Sequence, residues 1–234
     1  MTKNIERAWV GIALLLTGII GCSDSIDPGE THFVPGIGSS YTVVELTHDD
    51  DPATFDRLDT LLFTVAAQIG SYQGMPNVTQ FNGPRNSSLY FIYHESGDLS
   101  RYYQGTSFPA DAYLLPPFWA VFPYSNAGGK DVLLIDTVDG GRHVTYRLTT
   151  ERKGSEEVEI HGTKFIGWRL DYTFTFEIPD EHITTTIGGR TLYVPSIGWS
   201  AWTEEITERR DHGEVTSTKR KRSELVEYVI VRDA

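Results

Sequence analysis

The sequence is nearly free of cysteine: among its 234 residues, Cys22 is the only one. A single cysteine cannot form an internal disulfide, which excludes a small domain held together by disulfide bridges. The sequence also lacks the Gly-x-Ser-x-Gly elbow, the His-Glu-x-x-His helix and the phosphate-binding glycine loop. The seven histidines stand singly, without the spacing of metal ligands. We therefore predict no catalytic residues, no cofactor and no metal site. The histidines are His32, His48, His94, His143, His161, His182 and His212.

No hydrophobic run is long enough to cross a bilayer as a helix, which takes about 20 apolar residues. The longest uncharged apolar run, residues 10–21, follows a short segment that carries Lys3 and Arg7. A positive segment before a short apolar run is typical of a secretory signal peptide. We expect residues 1–21 to be that signal peptide.

The end of this run, Ile19-Ile20-Gly21-Cys22, resembles the lipobox of bacterial lipoproteins. The resemblance implies cleavage between Gly21 and Cys22, a diacylglyceryl group on the Cys22 sulfur and acylation of the new amine. Several acyl chains give stable attachment, whereas one chain gives only marginal membrane affinity. By the sorting pattern of Gram-negative lipoproteins, Ser23 directly after the cysteine implies transport to the outer membrane. Whether the protein then faces the periplasm or the cell surface stays open.

The charge balance is acidic. The chain carries a net charge of −12, and removal of residues 1–21, with Lys3, Arg7 and Glu6, leaves −13. A strong negative charge opposes non-specific binding to nucleic acid or to an anionic membrane face. We therefore expect no nucleic-acid partner and a membrane contact made through the N-terminal lipid.

Residues 22–40 are rich in Gly, Pro, Ser and Asp and show no apolar periodicity, which predicts a flexible tether that begins at the lipidated Cys22. Such a tether has a reach of roughly 20–25 Å. Phe33, Val34 and Ile37 could instead pack locally. We assign residues 41–234 to a single β domain.

After the tether, short runs of β-branched and aromatic residues alternate with turn residues, which predicts antiparallel strands. Asp139-Gly140-Gly141 marks a tight hairpin. A helix over residues 51–58 is the only one that the pattern favours, with Asp51 as its cap and Pro52 at its start. The predicted strands include residues 41–48, 60–66, 88–94, 99–103, 131–138, 142–150, 156–161 and 164–178.

Within the last of these segments, apolar residues alternate almost strictly with polar ones from Trp168 to Ile178. One face of that strand is therefore predicted to be core and the other wet. The segment 157–170, followed by the Tyr-x-Pro-x-x-Gly turn of residues 193–198, resembles a pattern in uncharacterised periplasmic and outer-membrane lipoproteins. That resemblance implies a strongly curved antiparallel sheet or an incomplete β-barrel, and it brings no catalytic residues with it. We predict an all-β fold of this kind with at most one short helix.

Two other segments invite functional interpretations. Residues 219–222, Lys-Arg-Lys-Arg, could meet the phosphates of lipid or lipopolysaccharide, or could protect an exposed strand edge from aggregation. Residues 113–124 are apolar and aromatic but contain three prolines, which keep much of the segment out of a central strand. This segment could cover a pocket for an apolar ligand or fill the open end of the sheet as core. Its candidate ligand-binding residues are Tyr113, Phe118, Trp119 and Phe122.

The sequence therefore favours a lipid-anchored envelope protein whose β domain binds an apolar small molecule or an envelope protein, without catalysis. The alternative is a structural or envelope-assembly component whose concave face is filled by its own side chains. A hydrolase is the remote alternative.

Overall fold

We describe the protein from a computed structural model, over residues 33–49, 57–103, 118–124, 130–139 and 141–232. The predicted signal peptide and the predicted lipidation site, Gly21 and Cys22, lie outside these residues, as does Tyr113. Across the described ranges, no helix has the length and apolar character needed to cross a membrane.

Twelve strands form one antiparallel sheet with the order β6-β5-β4-β3-β2-β1-β12-β11-β10-β9-β8-β7. Two short 3-10 turns, Pro84–Asn86 and Pro179–Glu181, interrupt the strands. The strands are β1 (Ser40–Asp49), β2 (Arg57–Tyr72), β3 (Met75–Asn82), β4 (Ser88–Tyr93), β5 (Leu99–Tyr103), β6 (Phe118–Phe122), β7 (Lys130–Asp139), β8 (Arg142–Ile160), β9 (Thr163–Ile178), β10 (Ile183–Val194), β11 (Trp199–Asp211) and β12 (Glu214–Val229).

Chain order and sheet order agree except at two places. The first strand pairs with the last, since β1 lies against β12, and this brings the two ends of the domain together. The strands at the two ends of the sheet order, β6 and β7, are consecutive in the chain but do not pair. The sheet is thus nearly closed into a barrel with one unsealed seam. This confirms the prediction of a strongly curved antiparallel sheet or incomplete barrel.

The alternation of β9 shows why the sheet has an inside. Leu170, Phe176 and Ile178 are buried on one face, whereas Thr173 and Glu177 are exposed on the other. Successive side chains of a strand point to opposite faces, so this pattern alone fixes which face of β9 turns inward. The predicted core face of this strand is the face that lies inside the barrel.

The structure departs from the sequence prediction in strand boundaries. The segments 142–150 and 156–161 were predicted as two strands, but residues 142–160 form the single strand β8, and His161 lies in the turn that follows. The register of β8 with β9 shifts between Arg152 and Gly154. A bulge of this kind absorbs an extra residue without ending the pairing, and Gly154 has a φ of +127°, which favours glycine.

Two further segments differ from the prediction. The predicted helix at 51–58 lies mostly outside the described residues, and its last two residues, Arg57 and Leu58, already belong to β2. Strand β3 was not predicted, because Pro76 and Asn77 near its start are residues typical of a turn. In the structure Asn77 has a φ of +55° and still lies within the strand.

The turn between β10 and β11, residues 195–198, is buried at the barrel end where β1 begins. Ile197 is fully buried. The Tyr41 hydroxyl donates to the Ile197 carbonyl at 2.6 Å, and the Tyr93 hydroxyl donates to the Gly198 carbonyl at 3.0 Å. Burial raises the pKa of the Tyr41 hydroxyl, which keeps it protonated as a donor. Gly198 has a φ of +69°, and a Cβ atom there would lie 3.0 Å from the Phe33 carbonyl oxygen. The turn therefore fills this end of the barrel.

Residues 33–39, the last part of the predicted tether, are bound to this same end. The Phe33 amide donates to the Pro195 carbonyl at 3.0 Å, and the Gly38 amide donates to the Val65 carbonyl at 3.0 Å. Ser39 is fully buried. Of the three side chains that could pack locally, Phe33 is half-buried, whereas Val34 and Ile37 are exposed, so this segment is held mainly by its backbone hydrogen bonds. The rest of the predicted tether lies outside the described residues.

Candidate functional site

A cavity of about 210 Å³ lies inside the barrel and is lined by side chains from both halves of the sheet. The inward-facing residues of β2, β4, β5 and β6 make one wall, and those of β1 and β9 to β12 make the other. The first wall is mainly apolar, whereas the second carries most of the charged and hydroxyl side chains.

The first wall is mainly apolar and aromatic. Its ring cluster is centred on Trp199, which enters from β11 and packs against Phe63 and Phe91 with ring centroids 5.2 and 6.1 Å away. Arg101 is the charged residue of this wall, with its guanidinium carbon 6.0 Å from the Phe91 centroid. The apolar lining residues of this wall are Leu61, Phe63, Leu89, Phe91, Leu99 and Phe122.

The opposite wall carries an ionic cluster. The Lys221 ammonium forms an ion pair with Glu205 and lies 3.9 Å from a carboxylate oxygen of Glu45. The Ser223 hydroxyl donates to Glu45 at 3.3 Å, and the Tyr172 hydroxyl donates to Glu205. Each carboxylate therefore has both a hydrogen-bond donor and a cation beside it.

The surroundings of Glu205 change its acidity. Burial alone would raise the pKa of this carboxyl. The Lys221 ammonium, the hydrogen bond from Tyr172 and the Arg101 guanidinium together outweigh burial and lower the pKa below its ordinary value. Glu205 is thus ionised at neutral pH inside the barrel.

Hydroxyl groups continue the polar wall beside this cluster. The Thr191 hydroxyl lies 3.0 Å from both the Ser200 and the Thr203 hydroxyl oxygens and 3.1 Å from the Trp202 carbonyl oxygen. Thr191, Ser200 and Thr203 all line the cavity. A ligand in the cavity would therefore meet hydroxyl donors and acceptors on this side.

Strand register explains why the polar groups meet. Lys221 of β12 is paired with Glu205 of β11, Glu205 with Gly189 of β10, and Gly189 with Tyr172 of β9. A Cβ atom at Gly189 would come within 2.5 Å of the Tyr172 hydroxyl oxygen and closer still to the ring. Because Gly189 has no side chain, the Tyr172 ring passes over β10 and reaches Glu205.

The four predicted ligand-binding residues fall in different places. Phe122 lines the cavity. Trp119 points to the opposite face of β6 and packs on Tyr102, with ring centroids 5.0 Å apart. Phe118 is the first residue of β6, and its side chain is not among the described parts of the structure. Tyr113 lies outside the described residues.

Sequence reasoning missed the ionic cluster. Lys221 belongs to the basic run 219–222, for which protection of a strand edge was one interpretation. That interpretation is wrong, because β12 pairs with β1 on one side and β11 on the other. Lys221 points inward while Arg222 reaches Glu204 and Glu224 on the outer face. The alternation of side chains along a strand was the available signal, but the partners Glu45 and Glu205 are distant in sequence.

Within the described part of the chain, no three His, Cys, Asp or Glu side chains come together as metal ligands. His182 and His212 meet at the barrel end where β10 begins, with ring centroids 4.9 Å apart. Their separation in the sequence gave no sign of this pairing.

No protein-family model and no curated protein matches the chain. Two solved structures align with most of the chain. A candidate lipoprotein of Parabacteroides distasonis aligns with a TM-score of 0.50 and 15% identity, over 85% of this chain and 99% of the other. A candidate exported protein of Bacteroides fragilis with a YmcC-like fold aligns with a TM-score of 0.46 and 16% identity, over 85% and 99%. At such identity the first similarity shows a shared fold.

Proposed function

We propose that this protein is a lipid-anchored component of the bacterial cell envelope whose barrel binds a small molecule in its internal cavity. The observation that carries the binding function is the cavity itself, with an aromatic wall facing a polar one. Concave sites with apolar walls and a few convergent polar groups are typical of small-molecule binding proteins.

The lipid anchor rests on the Ile19-Ile20-Gly21-Cys22 motif. The fold shared with a candidate lipoprotein of Parabacteroides distasonis supports the same assignment. Ser23 after the lipidated cysteine favours the outer membrane as its location. Phe33, the first described residue, lies beside the buried turn of residues 195–198, so we expect the proposed tether to lead to this end of the barrel.

We assign the charged groups of the cavity to binding rather than catalysis. Glu205 is held by Lys221 and Tyr172, and Glu45 by Ser223 and Lys221. Such an arrangement fixes the side chains and presents polar groups of fixed geometry to a ligand, as preorganised binding sites do.

The test is to purify the mature protein from its native host and identify the small molecules that it carries by extraction and mass spectrometry. Leu89→Trp places an indole in the cavity and should remove the bound molecule. Leu62→Trp is the matched control, because Leu62 lies on the outer face of β2, two strands away from β4, and is 56% exposed. If the wild type and Leu89→Trp carry the same molecules in the same amounts, the barrel is a structural component rather than a binding protein.

A further inference from the structure

The size of the cavity limits what it can hold. An apolar cavity of about 150 Å³ binds benzene, whereas sites for drug-sized ligands measure about 300–1,000 Å³. The 210 Å³ cavity of this barrel lies between these values and close to the first. This volume suits one ring with one or two small substituents and is small for a long acyl chain.

The two walls set the polarity of the ligand. On one side the ligand would contact Phe63, Phe91 and Trp199, whose rings pack against a planar apolar group. On the other side it would meet the hydroxyl groups of Thr191 and Thr203. These hydroxyl groups already bond to one another, but each has one donor and two acceptor sites, so a polar group of the ligand can use the remaining capacity. A ligand with no polar group would exclude water from this wall without replacing its hydrogen bonds, which costs binding free energy.

The charges of the cavity balance. Among the described lining residues, the carboxylates of Glu45 and Glu205 are matched by the cations of Arg101 and Lys221. Lys221 lies beside both carboxylates, and the Arg101 guanidinium acts electrostatically on Glu205. A charged ligand would therefore bring in a charge with no counterion of its own, and burying such a charge is costly.

We infer that the ligand of this cavity is an uncharged compound with a single ring that carries at least one hydroxyl or amide group. This inference rests on the proposed binding function and names the chemical class that the site accepts. The ring lies on the aromatic wall, and the polar substituent faces the hydroxyl groups and the ionic cluster across the cavity.

The test compares three probes by calorimetry on the purified mature lipoprotein in detergent: 4-methylphenol, 4-methylbenzoate and hexadecanoate. The first two share a ring and a methyl group and differ in charge, and the third is a long acyl chain. The Leu89→Trp variant, titrated identically, gives the signal that comes from detergent alone. We expect 4-methylphenol to bind at least tenfold more tightly than 4-methylbenzoate, and hexadecanoate to show no saturable binding above that signal.

A second variant tests the charge argument independently. Glu205→Gln removes one carboxylate and leaves the cavity with an excess positive charge, so the preference for 4-methylphenol over 4-methylbenzoate should fall at least tenfold. Glu204→Gln is the matched control, because Glu204 is the next residue on β11 and binds Arg190 on the outer face. It should leave the preference unchanged.

The outcomes separate the ligand class from the binding function. Saturable binding of hexadecanoate that Leu89→Trp abolishes would overturn the ligand class and leave the binding function standing. Tighter binding of 4-methylbenzoate than of 4-methylphenol by the wild type would overturn the class in the same way. If none of the probes binds, the class is wrong. The binding function fails as well only if the native protein also carries nothing that Leu89→Trp removes.

Discussion

Gly189 is the residue on which the polar wall depends most directly. Its missing side chain lets the Tyr172 ring cross β10 and donate its hydroxyl hydrogen to Glu205. Gly188, the adjacent residue of the same strand, has open space where a Cβ atom would stand. The two glycines therefore have different structural roles, although they are adjacent in the sequence.

We expect Gly189→Ala to lower the free energy of unfolding by about 1–3 kcal/mol, because the added methyl group must displace the Tyr172 ring. Gly188→Ala should change it by less than about 1 kcal/mol, because nothing stands in the way of its methyl group. Urea denaturation of the purified protein measures both. Equal effects of the two substitutions would contradict the role given to Gly189.

The Glu205 carboxylate makes stability depend on pH. Its pKa is lowered in the folded protein, so the ionised form stabilises the fold fully above the ordinary pKa, about 4.3. That stabilisation is lost as the pH falls from there through the lowered folded-state pKa. Glu205→Gln lacks this contribution at every pH.

We therefore expect Glu205→Gln to be less stable than the wild type by roughly 1–2 kcal/mol at neutral pH, between the values for exposed and buried ion pairs. The side chains of Glu205 and Lys221 are 20% and 33% exposed, which places the pair between these limits. The difference should shrink below about pH 4 in denaturation curves at several pH values. A difference that grows on acidification would show that the folded-state pKa is not lowered.

Among the structural elements, the turn between β10 and β11 does the most to organise one barrel end. Its carbonyls accept hydrogen bonds from Tyr41 of β1 and Tyr93 of β4, two strands that are not adjacent to it in the sheet. The same turn binds the segment that leads into β1. It thereby connects the two halves of the sheet through the barrel interior.

We expect Tyr41→Phe to lower the free energy of unfolding by about 1–2 kcal/mol, because the buried Ile197 carbonyl loses its donor. The double variant Tyr41→Phe/Tyr93→Phe should lose more and speed amide exchange in residues 33–39 and 195–198. Exchange measured by mass spectrometry in those peptides, with β9 peptides as the internal reference, checks the expectation. Unchanged exchange there would mean that the two hydroxyl groups do not hold the turn.

At the scale of the whole molecule, strand pairing and side-chain packing explain how the two halves of the sheet are held together although β6 and β7 do not pair. The pairing of β1 with β12 joins the two halves of the sheet, and aromatic contacts cross the interior between them. The Phe122 ring of β6 contacts the Tyr172 ring of β9. The Tyr124 ring, just after β6, stacks on the Tyr193 ring of β10 with centroids 4.5 Å apart. Side-chain packing thus bridges the two halves near the seam.

The proposed anchor gives a prediction at this scale. Cys22→Ala removes the only cysteine and with it the proposed site of lipidation. We expect the variant to lose its acyl mass and to appear in the soluble fraction after cell disruption, because the acyl chains on Cys22 are the proposed membrane attachment. Mass spectrometry and membrane fractionation measure this, with Ser25→Ala as a control close by. A variant that stays in the membrane fraction and differs in mass from the wild type only by the exchange of cysteine for alanine would refute the lipoprotein assignment.

The sequence by itself determined the all-β class, the inward face of β9 and the hairpin between β7 and β8. These features depend on local alternation and on turn residues such as Gly141, which act over a few positions. The sequence also carries the lipobox resemblance, which lies in four consecutive residues.

Only the tertiary structure decided the cavity and its ionic cluster. Glu45, Glu205 and Lys221 come together because β1, β11 and β12 are neighbours in the sheet, and this neighbourhood follows from the pairing of the first strand with the last. Strand register across residues nearly 180 positions apart is a property of the whole sheet, because all of its pairings together set the free-energy minimum. No local sequence pattern encodes this register. The Lys-Arg-Lys-Arg run is therefore compatible with an exposed strand edge in the sequence, and only the fold shows that Lys221 points inward.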